Sequence, residues 1–294
     1  MSIIVGIDCN DCVILAASGP APRSSTGESG AAGPPIAVLR GATGKGEAVI
    51  GFSGPEELGR EVTAALERYL TEQDPRELAP DAHRSGIQAV LSQPVRLAAA
   101  MTRALKGLPG GGVPEGGLTV GETMIALPAK GRHALYVVDE DCTVTQVDQG
   151  SSCAAIGPAK RAAESFLRLL QRLLWREGKP TRAAGQLAAY WTARHVTDVE
   201  GGSSSSVQLV RLSAGPGKAT EIVWYGERVM TSLRRAVDAG MDEIRSELKR
   251  RILIDFEGLG DSANSTFERP IRKRVPEVRV TLRPPQSEER KPRW

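Results

Sequence analysis

Ser2-Ile3-Ile4-Val5-Gly6-Ile7 runs through Asp8-Cys9-Asn10-Asp11-Cys12 into Val13-Ile14-Leu15-Ala16-Ala17. Both flanks are short and rich in β-branched residues, and the Asn and Asp between them favour a turn, so a β-hairpin is expected at the amino terminus. Neither flank alternates apolar with polar residues. Strands apolar on both faces fit sheets that are covered by helices.

Outward from this hairpin, residues 18–35 are mostly Gly, Ser, Ala and Pro and read as a long loop. Ile36 to Leu39 and Ala48 to Phe52 predict a second hairpin around Gly41 to Gly46, and Ser53-Gly54-Pro55-Glu56 opens a helix. Val62, Leu66, Tyr69 and Leu70 share one face of it. A second helix is expected from Ile87 to Leu105, ended by the glycine-rich stretch Gly107 to Gly117. Strand-like runs follow at Thr123 to Leu127, His133 to Val138, Thr143 to Val147 and Cys153 to Ile156. Helices are expected at Ala159 to Arg176 and Thr181 to Val196, strands at Val207 to Leu212 and Glu221 to Trp224, and a long amphipathic helix from Glu227 to Phe256. Helix pairs inserted between groups of strands must cover sheet faces. The expected fold class is therefore α+β, a four-layer αββα sandwich of two antiparallel sheets. Its divisions are a body over residues 2–225, a helical extension over 226–257, and a basic, extended or disordered tail over 258–294.

The chain has 294 residues, 40% of them hydrophobic, enough for one sizeable core. Its net charge of +3 is uneven. The segment from Arg269 to Trp294 carries an excess of Arg and Lys, leaving the body mildly acidic. Four cysteines, Cys9, Cys12, Cys142 and Cys153, are too few for a disulfide scaffold and point to a reducing compartment. No signal peptide and no membrane-spanning run is read from the sequence, and a soluble, cytoplasmic protein is expected.

The order of elements resembles that of a proteasome β-type subunit, a member of the N-terminal-nucleophile hydrolase superfamily. The likeness begins with the opening hairpin and continues through Ile50-Gly51-Phe52-Ser53-Gly54, Leu135-Tyr136-Val137-Val138-Asp139, Ala155-Ile156-Gly157 and Asp198-Val199-Glu200-Gly201-Gly202. It covers residues 2 to about 225. In that family an amino-terminal Thr attacks the peptide carbonyl and its own α-amine is the general base, because an α-amine with a pKa of about 8 is partly neutral at working pH. Aligned on Val5-Gly6-Ile7, this position is Ser2, which keeps the hydroxyl and becomes the terminus when Met1 is removed.

The resemblance also implies supporting residues, and most have changed. The family's acid falls on Ser18 and the Arg two places on falls on Pro20, while the Lys falls on Pro34 or Pro35. The Ser after the Gly that precedes the third helix falls on Pro158, and the Ser of the later Ser-Gly step on Gly201. Asp198 is retained. Asp8 lies roughly 20 Å from Ser2 along a strand, too far to replace the acid. Arg40 supplies charge but no proton transfer. Ser2 and Asp198 are thus the candidate catalytic residues, with weak or absent turnover expected, since groups that act as a unit lose most of their effect when one is removed.

Cys9-Asn10-Asp11-Cys12 matches half of a zinc site, but ten residues separate Cys142 from Cys153 and no second close pair completes it. No metal and no cofactor is expected. His83, His133 and His195 show no ligand spacing and read as structural or solvated. The basic segment from Arg269 to Trp294 has one aromatic, Trp294, which argues for a solvated tail or a partner-docking segment over nucleic-acid binding. Three functions follow: a self-associating ring subunit with at most weak Ser2 peptidase activity, an active endopeptidase on polypeptide substrates, and a non-enzymatic protein that binds partners through its tail. The expected partner surface is the first-helix face together with the leucine-rich stretch Phe166 to Trp175, apolar over more than one side. The alternative is that the last helix folds back over it.

Overall fold

The structure is a computed structural model and describes residues 3–19, 35–42, 46–106, 121–148, 150–199, 206–216 and 219–260. Ser2, Pro20, Pro34, Gly201 and the basic tail lie outside the described residues. β1 (Ile3–Asp8) and β2 (Val13–Gly19) form the expected hairpin, with Ile3 opposite Ser18 and Asp8 opposite Val13. They sit inside a five-stranded antiparallel sheet ordered β10 (Glu221–Trp224), β9 (Ser206–Ser213), β2, β1, β8 (Cys153–Ile156). The second five-stranded sheet is ordered β3 (Ile36–Arg40), β4 (Glu47–Ser53), β5 (Glu122–Ala129), β6 (Arg132–Val138), β7 (Val144–Val147).

Three apolar clusters fill the spaces between layers. Ile4, Leu15, Val49, Met124 and Leu135 meet between the sheets. Ile3, Val5 and Ile7 point to the other side, where they pack with α3 (Lys160–Leu174) and α4 (Arg182–Val199). On the outer face of the second sheet, Ile50, Ile125 and Tyr136 pack with α1 (Glu56–Glu72) and α2 (Pro80–Lys106). Every residue of β1 is buried, which explains the missing alternation in its sequence. The architecture is the expected helix, sheet, sheet, helix sandwich.

Three details differ from the sequence reading. α2 starts at Pro80, seven residues before Ile87, because Pro suits a first helical turn whose N–H groups need no partner. Its opening turn is anchored by buried His83, whose Nε2 donates to the Pro75 carbonyl at 2.8 Å while Nδ1 accepts from the Tyr69 hydroxyl at 2.9 Å. The α1 face of Val62, Leu66, Tyr69 and Leu70 is not a partner surface, since all four are buried in the chain's own core against α2 and the second sheet. α5 (Glu227–Gly260) runs past Phe256. Its first turns pack on the body through Met230, Leu233 and Val237, with Asp238 paired to Arg194 of α4 at 2.8 Å.

Part of α3 is exposed. Leu167 and Leu170 are buried, but Leu169 and Leu173, one turn apart, are 50% and 59% exposed. The expected surplus of apolar surface therefore survives on α3 alone.

The chain divides into two compact units, residues 1–241 and 242–294. Among the described residues no helix is long and apolar enough to cross a membrane.

His83 makes stability depend on pH. Burial is the larger influence and pushes its pKa below the ordinary 6.5, against a smaller opposing contribution from the Pro75 bond. The unfolded chain therefore takes up this proton first, so the stabilisation is full above pH 6.5 and is lost as pH falls below it. Urea midpoints should fall between pH 6.5 and roughly 5, and the fall should be smaller in His83→Gln.

Candidate functional site

The start of β1 is where the family's chemistry would sit, and the described neighbours of Ile3 define it. Ser18 is buried beside Ile3, with Val207 on its other side, so the position of the lost acid holds a hydroxyl packed between strands. The Pro35 carbonyl accepts the Phe52 N–H at 3.1 Å, which brings the start of β3 against β4. Arg40 lies at the opposite end of β3, exposed and paired with Glu47 at 3.1 Å. Asp198 is exposed near the end of α4, and its ion pair is with Arg194, one turn back, at 3.6 Å.

Gly157 and Pro158 close the site on the β8 side. The described β1–β8 pairing ends with Ile4 opposite Ile156. Gly157 has φ +108°, a conformation that favours glycine, and turns the chain into α3. Pro158, the next residue, has no N–H to donate.

Here two residues meet that the sequence reading did not single out. Glu122, the first residue of β5, accepts the Gly157 N–H at 2.8 Å on Oε2 and the Lys160 ammonium at 2.6 Å on Oε1. Glu122 is 14% exposed and Lys160 36%. Burial disfavours the Lys160 charge, but the Glu122 bond and charge outweigh it and hold its pKa above the ordinary value. Lys160 therefore acts as a fixed cation and does not serve as a base. It also lines a cavity of about 630 Å³ between β7, β8 and α3, along with Gln146, Ser151, Cys153, Glu164 and Arg168.

A second polar cluster lies at the other end of β1. Buried Asp8 pairs through Oδ2 with Lys179 Nζ at 2.6 Å, and its Oδ1 is 3.2 Å from His133 Nε2. That Nε2–H is aimed at the Cys9 carbonyl, 3.0 Å away, which joins β6 to the turn after β1. The same turn is held by Asn10 N donating to the Pro180 carbonyl at 3.0 Å and by the Arg182–Asp11 ion pair. This end has no reactive thiol. Hydrogen bonding with Cys12, then burial and the charges of Asp8 and Asp11, raise the Cys9 pKa and suppress its thiolate. Cys9 and Cys12 pack in the core under α3 and α4 with Cys153 against the same cluster, while Cys142 packs under α1 and α2, so the four do not share one site. Among the described residues no group of three or more His, Cys, Asp or Glu could hold a metal ion.

The cluster around Asp8 reads as structural, with a measurable consequence. Asp8→Ala removes the partner of Lys179 and should cost about 2–4 kcal/mol in urea denaturation, with partial recovery in Asp8→Ala/Lys179→Met.

No family model matches the sequence, and no curated protein matches it. Solved structures do. The Gly-1 mutant of Anbu from Hyphomicrobium sp. strain MC1 aligns with 85% of this chain and 100% of its own at TM-score 0.55 and 12% identity. Anbu (ancestral beta-subunit) from Yersinia bercovieri aligns over 84% and 97%, at TM-score 0.56 and 10% identity. The structure of the helical assembly of the Anbu complex from Pseudomonas aeruginosa aligns over 84% and 96%, at TM-score 0.56 and 15% identity. At such identities the likeness is one of fold: the two helix-covered antiparallel sheets of this chain are arranged as in these Anbu structures.

Proposed function

We propose that this chain is a self-associating subunit of a proteasome-like assembly, a ring or stacked ring, in which peptide hydrolysis by Ser2 is weak or absent. The observation that carries the assembly is the pair Leu169 and Leu173, exposed on the outer helix α3, since a helix in a monomer needs only one buried stripe. The helical assembly of the Anbu complex from Pseudomonas aeruginosa supports self-association. Weak turnover is the expected consequence of the changed positions: Ser18 stands where the family has an acid, Pro34 or Pro35 where it has a Lys, and Asp198 is engaged with Arg194. In this proposal the body is residues 2–225, the extension 226–257 carries the helix, and the basic tail 258–294 is a docking segment for a protein partner.

A second reading, an endopeptidase that uses Ser2 after loss of Met1, is favoured by one arrangement. Lys160, bonded to Glu122, lines the cavity of about 630 Å³, whose lining of both charges and short polar groups suits an extended polypeptide.

Two measurements separate these readings. Light scattering at micromolar concentration should show an oligomer, and Leu169→Glu/Leu173→Glu should shift it to a monomer near 31.3 kDa. A wild-type monomer would remove the assembly claim. Hydrolysis of a short fluorogenic peptide should be slow and should vanish in Ser2→Ala. Activity unchanged by that substitution would rule out Ser2 as the nucleophile.

A further inference from the structure

We propose that the cavity between β7, β8 and α3 is a seat for a short peptide of about two or three residues, bound as an added strand on β8 with its carboxylate at Arg168 and its ammonium at Glu164 and Asp139. The seat lies within one chain and does not depend on hydrolysis by Ser2.

The backbone supplies the first half of the argument. β8 is the margin of its sheet, paired with β1 alone among the described strands. Ile7 is opposite Cys153 and Ile4 opposite Ile156, and the Asp8 N–H donates to the Ser152 carbonyl at 2.8 Å. In an antiparallel pair only alternate residues exchange bonds with the partner strand. Ser152, Ala154 and Ile156 therefore aim their peptide groups at β1, and Cys153 and Ala155 aim theirs away from it. The Cys153 carbonyl accepts the Ser151 hydroxyl at 3.0 Å, so the Cys153 N–H and both groups of Ala155 remain for a ligand. Cys153 and Ala155 both line the cavity, together with residues of α3 and β7, and none of its described lining residues belongs to β1. The cavity thus lies beyond the β8 margin, where these groups point. So few groups serve a short ligand and not a long strand.

The charges define the two ends. Lys160, Glu164 and Arg168 follow one another along the side of α3 that lines the cavity. Against burial, which disfavours the Lys160 ammonium, the Glu122 bond and then the nearby Glu164 and Asp139 hold it charged. With Lys160 engaged by Glu122, Glu164 and Asp139 make that end acidic on balance. Arg168 is the cation farther along the helix. Burial pushes the Cys153 thiol up to about 11, with Glu164 adding to the rise and Arg168 opposing it, so an uncharged thiol lies close to both. β8 runs from Cys153 toward the Lys160 end. A peptide with its ammonium there and its carboxylate at Arg168 runs antiparallel to β8, the direction in which one residue exchanges both bonds with Ala155. From Lys160 to Arg168 the helix rises about 12 Å, and an extended tripeptide spans about 10 Å. The volume of about 630 Å³ is that of a small-ligand site.

Trialanine with both ends free is the probe, titrated by calorimetry into full-length Ser2→Ala protein. No turnover then consumes it, and the outcome is independent of the peptidase and assembly readings. One peptide should bind per chain. Amidating its carboxylate, acetylating its amine or methylating its central nitrogen should each weaken binding about tenfold. Arg168→Gln should weaken the free peptide to the level of the amide while leaving the amide unchanged. Glu164→Gln should likewise close most of the gap between the free and the acetylated peptide. Melting curves of both variants exclude unfolding as the cause. No binding at millimolar trialanine, or binding indifferent to all three modifications, overturns the proposal. Binding that needs the free ends but ignores both substitutions overturns it as well, because the peptide then sits elsewhere.

Discussion

The sandwich depends on how closely its two sheets approach, and glycines at Gly6 and Gly51 set that distance. A methyl on Gly6 would overlap Met124 Sδ and come within 2.9 Å of Leu135 Cδ2, both on the second sheet. One on Gly51 would lie 2.7 Å from Ile4 Cγ2. Backbone thus faces side chain across the layer, with Ile4 filling the space that Gly51 leaves. Close-packed interiors tolerate little added volume, so the spacing fixed here propagates to every pair of facing residues between the sheets.

Because that interface is apolar, it specifies distance better than direction. Two polar links at opposite ends supply the direction. Glu122 reaches from the second sheet to the Gly157 turn of the first, and His133 reaches from the second sheet to the Cys9 carbonyl. Each leaves a hydrogen-bonding group unsatisfied if the sheets slide, and an unmade buried hydrogen bond costs about 1–3 kcal/mol. The Glu122 link also fixes Lys160 at the edge of the cavity beside β8.

The strands were legible because their signal is local. β1 and β2 are short apolar runs around a turn, and their ends fell within a residue or two of expectation. The start of α2 was not, since Pro80-Asp81-Ala82-His83 has no apolar period and its turn is held by His83 reaching Pro75 and Tyr69. Periodicity showed that Val62, Leu66, Tyr69 and Leu70 share a face, but not whether that face meets the chain's own core or another molecule. The site was harder still. Glu122 and Lys160 are 38 residues apart, and His133 and Cys9 are 124 apart, so sheet stacking alone brings each pair together. Substitutions at Ser18, Pro35 and Pro158 could be read as losses, whereas a charge arriving from another element could not be read at all.

β3, β7, β8 and β10, which form the four outer margins of the two sheets, are only five, four, four and four residues long. Such short margins offer few free backbone groups for a neighbouring strand to zip onto, so runaway strand-to-strand growth into fibrils has little purchase. Contacts between copies are left to helical surfaces, where side-chain shape limits which orientations fit. An order built that way can stop at a defined number of subunits, and it can be taken apart without unfolding any of them.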